Sequence, residues 1–316
     1  MGSKFWKCLK IDFRYMVKSK FVMGFAIALI SLVGILSWGQ YIMANHSYKE
    51  YKQAVDVYDR NTDIRREQLM KGTHCDIDAF IVDSDNEKEA IKMTKYNMVE
   101  TLRTISPKYA ISRGFESSLI FWSMLFFVLG SIITSKDYKN KTLKYIALRG
   151  GKTNYILAKI TSVIITTVAT VVAYMLLFKI GNGIVNHVLY KKMGNVNIDL
   201  GTVKTTYNAL VQFGVMTFLA MVFSMMGATF CTIFKGSVVG VIIATAYIYI
   251  VPTKLKYEPN SMVYNIVRKY FDFWSMPTFS APVKNNVTYS FIFLAMILGV
   301  SALIMMFVNK KRSAYN

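Results

Sequence analysis

The chain has few of the residues that most often carry chemistry. It holds three cysteines, Cys8, Cys75 and Cys231, far apart and with no Cys-x-x-Cys. That excludes a disulfide framework and a thiolate zinc site as readings of the pattern. Its three histidines, His46, His74 and His187, are scattered and form no His-Glu-x-x-His, so nothing supports a zinc hydrolase. Prolines number five, and three of them, Pro259, Pro277 and Pro282, fall within 254–287. Acidic residues are scarce where they would matter most, because no Asp or Glu falls inside the long apolar blocks. Pumps and secondary transporters usually keep ionisable groups at that depth.

What is abundant is apolar sequence in blocks. Of 316 residues 53% are hydrophobic, and the mean hydropathy is +0.33. Blocks of about 18 or more such residues can cross the roughly 30 Å hydrocarbon layer as helices. Six spans are expected, near 21–43, 117–135, 155–178, 208–234, 237–253 and 288–309, the fifth being the shortest. The fold class expected is therefore all-α membrane.

The net charge of +20 fits either nucleic acid or a membrane, and its distribution favours the membrane. Residues 1–20 hold six cations (Lys4, Lys7, Lys10, Arg14, Lys18, Lys20) against Asp12. The segment between spans two and three holds seven (Lys136, Lys139, Lys141, Lys144, Arg149, Lys152, Lys159) against Asp137. Lys310, Lys311 and Arg312 follow span six. The 44–116 segment carries twelve basic and thirteen acidic residues. Cytoplasmic flanks are the basic ones, so both termini are expected in the cytoplasm, with no nucleic-acid partner.

Residues 1–20 also read as an amphipathic helix. Phe5, Leu9, Phe13 and Met16 recur at helical spacing with Trp6 and Val17 beside them, and Lys7, Lys10, Arg14 and Lys18 lie toward the other side. This is the pattern of an interfacial helix on membrane lipid. A plain basic flank would also satisfy the topology. No cleavable signal peptide is expected, since no Ala-x-Ala-like site follows the first apolar block. Trp6 occupies the position where a myristoylation motif needs a hydroxyl residue.

Residues 44–116 are expected to form a small extracellular helical domain: a first helix over 48–70, a break at Gly72 and Thr73, and a second helix over 86–103. Residues 179–207, with four glycines, read as an outer loop. The 254–287 segment is rich in proline and aromatics and reads either as a segment that lies on or dips into the outer leaflet or as an ordinary aromatic belt. Two near-motifs fail. Gly151-Lys152-Thr153 lacks the first glycine of a P-loop, Ile146 standing in its place. The acidic run Asp76, Asp78, Asp83, Asp85 and Glu87 lacks the EF-hand glycine and closing glutamate, which would fall at Lys88 and Thr94. Gly236-x-x-x-Gly240 would let a neighbouring helix approach closely. On these grounds no catalytic, metal or cofactor residues are expected.

The most informative stretch follows the second block. It runs Thr134-Ser135-Lys136-Asp137-Tyr138-Lys139-Asn140-Lys141-Thr142-Leu143-Lys144, then Arg149, Gly150, Gly151, Tyr155 and Ala158-Lys159. It resembles the first cytoplasmic loop of ABC-2 type ABC transporter permeases. Asp137 stands at that family's usual Glu position, Asn140-Lys141-Thr142 at its Asn-Gly-Thr, and Gly150-Gly151-Lys152 at its Ser-Arg turn. The layout of an N-terminal helix, six spans and an extended outer segment before the last is similar too.

The resemblance implies a permease subunit in the plasma membrane that pairs with a second permease copy or paralogue. Two cytoplasmic ATPase subunits would bind the ATP, so the chain itself needs no cofactor and is not an enzyme. Asp137, Tyr138, Lys141, Thr142, Leu143 and Arg149 would be the ATPase-coupling residues, and Phe5, Trp6, Leu9 and Phe13 the interfacial ones. The long outer insertion resembles members that export peptides, or protect against antimicrobial peptides, in Gram-positive bacteria. The substrate expected is a peptide, an antimicrobial or a lipid-like molecule. A stand-alone membrane receptor or immunity protein with a ligand-binding outer domain is the alternative; a membrane enzyme has no catalytic constellation behind it.

The charge asymmetry predicts that residues 136–154 and both termini are cytoplasmic and that Cys75 is outside. A membrane-impermeant thiol reagent applied to intact cells should label Cys75. Labelling of Cys75 only after the cells are permeabilised would reverse the orientation.

Overall fold

The computed structural model describes residues 2–18, 20–70, 77–106, 109–139, 151–193, 208–236, 238, 241–243, 246, 258–271 and 286–311. The long elements among them are all helices: α1 (Gly2–Val17), α2 (Lys20–Met70), α3 (Ile77–Ile105), α4 (Ala110–Lys139), α5 (Lys152–Met193), α6 (Ala209–Phe234), α7 (Pro259–Tyr270) and α8 (Val287–Lys311). Among the described residues four helices are long and apolar enough to cross a membrane: α2, α5, α6 and α8. The two parts of α4, Ile111–Leu119 and Phe121–Lys136, lie 84° apart and make a fifth if counted as one span. The architecture is that of an all-α, multi-pass membrane protein. Most of the expected span over 237–253 falls outside the described residues.

Several helices run further than the hydropathy blocks. The first block ends near Met43, but α2 continues to Met70. At 1.5 Å per residue a helix of 51 residues is about 76 Å long, far beyond the hydrocarbon layer. No glycine or proline interrupts residues 44–70, and Ala44, Tyr48 and Tyr51 extend the inward stripe into the polar segment. Residues 179–193 are not a loop: α5 runs through Gly181 and Gly183 to Met193. Gly181 serves close approach here, because a Cβ on it would press into the Ser37 hydroxyl of α2. Likewise α3 begins at Ile77 rather than 86, and α4 at Ala110 rather than 117.

The chain divides into two compact units. One comprises Met1–Leu32, Gly114–Leu177 and Thr205–Asn316; the other comprises Val33–Arg113 and Phe178–Lys204. The second unit therefore includes the end of α5 as well as the segment expected to form an outer domain. Its core is Ala44, Met98, Leu102, Ile105, Val185, Leu189 and Met193, from α2, α3 and α5. Ser47 and Thr101 share a hydrogen bond (3.3 Å), and Asn61 donates to Glu87 (2.7 Å). As residue numbers rise on α2 they fall on α3 by the same interval, so the two helices form an antiparallel hairpin. The Lys192 ammonium donates to Asn45 (2.6 Å) and ties α5 to the same hairpin.

In the first unit α6 is central. Gly130 of α4 and Gly227 of α6 face each other's helix so closely that a Cβ on Gly130 would collide with the Ser224 carbonyl, and one on Gly227 with the Phe127 carbonyl. Hydroxyls then stitch the contact. Ser131 donates to the Gly227 carbonyl (3.0 Å), Thr167 of α5 to the Ser224 hydroxyl (2.8 Å), and Thr229 to the Ser301 carbonyl of α8 (2.9 Å). Small residues and buried hydroxyls are how helices hold one another in lipid, where apolar side chains gain nothing by leaving the tails.

Toward the other end of α4, Phe115, Trp122, Phe126, Tyr174 and Phe271 form an aromatic cluster. The Tyr174 hydroxyl is satisfied by the Gly114 carbonyl (2.8 Å). Ser118 donates back to the carbonyls of Gly114 and Phe115 just before the bend of α4, a bonding pattern that bends helices. Within the 254–287 segment, α7 packs on α6 and α8. It buries Met262, Val263, Ile266 and Val267 while Arg268 and Lys269 stay exposed.

The glycine contact makes a prediction. Gly227→Ala should destabilise the protein by about 1–3 kcal/mol, the usual cost of overpacking. Gly214→Ala on the same helix, where an added Cβ meets nothing within 4 Å, should be neutral or stabilising. Thermal melting of the purified variants in detergent checks the contrast.

Candidate functional site

The residues singled out in the 136–159 stretch fall into three groups. Lys141, Thr142, Leu143 and Arg149 lie outside the described residues. Asp137 sits in the last turn of α4, and its side chain is not described. Tyr138, Tyr155, Ala158 and Lys159 are described, and they meet α1 and α8.

The first junction is between α1 and the start of α5. Cys8 and Leu9 pack with Tyr155, Ile156 and Ala158, and Phe5, Ile11, Phe13, Ile160 and Met306 close around them. At its centre the Lys159 ammonium donates to Asp12 Oδ1 at 2.7 Å. The lysine side chain is 1% exposed and the aspartate 9%. Two turns on, Thr166 and Met16 Sδ are 3.7 Å apart. The helix thus spends its Phe5–Leu9–Met16 face on protein. Trp6 and Val17, at 65% and 82% exposure, and the four cations Lys7, Lys10, Arg14 and Lys18 remain outside.

The second junction is between the last turn of α4 and the end of α8. The Tyr138 hydroxyl donates to Asn309 Oδ1 at 3.2 Å, and Asn309 Nδ2 donates to the Met305 carbonyl at 3.0 Å. Lys136, two residues before Tyr138, is buried. Met306, one residue after Met305, touches the α1–α5 cluster, so the two junctions share one end of this unit.

Between the junctions, residue 151 starts the return. Gly151 has φ +81° and its carbonyl accepts from Tyr155 (3.1 Å). Glycine takes that left-handed conformation without the strain other residues incur. The Gly-Lys-Thr run is therefore a helix entry, with Lys152 and Thr153 exposed in the first turn of α5.

Asp12 and Lys159 as a pair went unread in the sequence, although a signal was present. Asp12 lies on the same helical face as Phe5, Leu9 and Met16, opposite the cations, where a carboxylate is costly unless paired. Lys159 interrupts the apolar side of a helix just inside its basic start. Burial also pushes the Cys8 thiol above its ordinary pKa. It is only 4% exposed and stays protonated and unreactive near neutral pH. Among the described residues no three His, Cys, Asp or Glu side chains are placed to hold a metal ion.

No family model, curated protein or solved structure matches the chain.

Removing one partner of a buried ion pair strands the other charge and costs about 3–5 kcal/mol, whereas replacing both by apolar groups is often neutral. Lys159→Met should therefore lower thermal stability sharply. Adding Asp12→Leu should restore most of it. A double variant no more stable than Lys159→Met would mean that the charges are not coupled.

Proposed function

We propose that the chain is the permease subunit of an ATP-driven ABC exporter of the ABC-2 type. It has six spans, with 237–253 as the fifth, and both termini in the cytoplasm at the plasma membrane. Two copies, or this chain and a paralogue, form the translocation path. Cytoplasmic ATPase subunits bind the ATP and dock on residues 136–154. The cargo class in keeping with the long α2–α3 hairpin is a peptide, an antimicrobial or a lipid-like molecule.

The observation that carries this reading is the anchoring of the loop's flanks. Tyr138 is fixed to Asn309 of α8. Tyr155 and Lys159 are fixed to α1. A segment that converts closure of a partner into movement of spans needs a stiff base, because packed elements pass displacement on while loose ones absorb it. A basic loop serving topology alone has no need of anchors on both sides. The resemblance of residues 134–159 to the permease loop points the same way: the energy source lies on another subunit.

The chain expressed with a tag in its own host should co-purify with a P-loop ATPase, and alone it should bind no nucleotide. Asp137→Ala with Tyr138→Ala should leave insertion intact but weaken retention of the ATPase. An interface aromatic is typically worth roughly 2 kcal/mol, on the order of thirty-fold in affinity. Tyr138→Phe, which keeps the ring and removes the hydroxyl that bonds Asn309, should retain the ATPase. A double variant that holds its ATPase and still supports transport or resistance in cells would reduce the loop to a topological flank and favour a receptor.

A further inference from the structure

The exposed surface of α1 is not uniform. Taking 100° per residue, the helix has three strips. Phe5, Cys8, Leu9, Asp12 and Met16 face α5 and its surroundings, with Cys8, Leu9, Asp12 and Met16 all buried. Trp6 and Val17 form an exposed apolar ridge beside Phe13. Lys7, Lys10, Arg14 and Lys18 form a continuous exposed cationic strip at three- and four-residue spacing. Lys20, Lys152, Lys310 and Lys311, also exposed, add to the charge of the same unit. Asp12 does nothing to offset this field, because its carboxylate is buried against Lys159.

We propose that the Lys7–Lys10–Arg14–Lys18 strip of α1 is a binding site for the phosphate groups of anionic phospholipids in the leaflet on its side. The two outward strips divide the work. The Trp6–Val17 ridge suits the boundary between acyl chains and headgroups, where an indole ring is stabilised. The cationic strip then sits at headgroup level, where each Lys or Arg gains from a negatively charged surface. Arg14 adds a planar donor fork that matches phosphate oxygens. The Asp12–Lys159 bond fixes the rotation of α1 and so holds the cations outward; a free amphipathic helix would turn its widest apolar face, Leu9 and Met16 included, into the lipid. The occupant is lipid and not a soluble anion, because the ridge beside the cations needs an apolar neighbour. This inference rests on α1 alone and does not depend on the export reading.

The test uses the full-length protein in detergent, mixed with equal amounts of phosphatidylglycerol and phosphatidylcholine, and counts retained lipids by native mass spectrometry. Wild type should retain phosphatidylglycerol preferentially. Lys7→Gln with Lys10→Gln and Arg14→Gln should cut that preference by roughly tenfold or more, given the gain expected per cation at an anionic surface. A charge-preserving variant, Lys7→Arg with Lys10→Arg and Arg14→Lys, should behave as wild type. So should Lys52→Gln with Lys92→Gln and Lys95→Gln, which removes three exposed cations from the α2–α3 hairpin. Undiminished preference in the α1 glutamine variant would overturn the proposal. So would an equal loss in either of the other two variants.

Discussion

The contact of Gly130 with α6 and of Gly227 with α4 is the constraint on which the first unit depends. In a bilayer the hydrophobic effect does not pull helices together, since lipid tails are as apolar as leucine. Dispersion at short range and satisfied hydroxyls must do it, and both need backbones that nearly touch. The two glycines provide that approach, and Ser131, Thr167 and Thr229 use it to reach carbonyls and a hydroxyl across α4, α5, α6 and α8. With these helices locked together, the last turn of α4, the first turn of α5 and the end of α8 have fixed positions. Tyr138, Lys159 and Asn309 can then act as anchors.

The Asp12–Lys159 pair works differently. Its net stabilisation is small, because desolvating two charges offsets most of their attraction. Its effect is specificity of rotation. Only one face of α1 carries a carboxylate, and only one place on α5 offers a buried ammonium to it. The same residues that make α1 look like a free interfacial helix are thereby divided between protein and surface. In the second unit the α2–α3 hairpin follows ordinary soluble rules: an apolar stripe from Ala44 through Tyr51 meets Met98, Leu102 and Ile105, and Lys49, Lys52, Lys92 and Lys95 stay exposed.

The apolar blocks made α6 and α8 legible almost to the residue, since each block ends in a turn or at lysines. They underestimated α2 and α5, because hydropathy marks where the hydrocarbon layer ends and not where the helix does. Gly181 and Gly183 read as loop signals, but Gly181 is there for its closeness to Ser37, a tertiary reason that no single-sequence pattern displays. The junctions were half legible. Ala158-Lys159 stood out by resemblance, yet its partner on α1 was hidden, since pairing across 147 positions leaves no periodic trace. Lys141, Thr142, Leu143 and Arg149, proposed to couple to the ATPase, lie outside the described residues, so that proposal rests on the sequence pattern and on the anchors at either side.

The most direct measurement of the central claim is site-specific photo-crosslinking from the loop itself. A photoreactive side chain placed at Leu143, in cells of the native host, should yield an adduct with a P-loop ATPase. The same probe at Leu157, which is exposed on the first turns of α5, should crosslink lipid instead. Adducts at Leu143 with lipid alone, or with no nucleotide-binding protein, would contradict a docked coupling loop and with it the permease account.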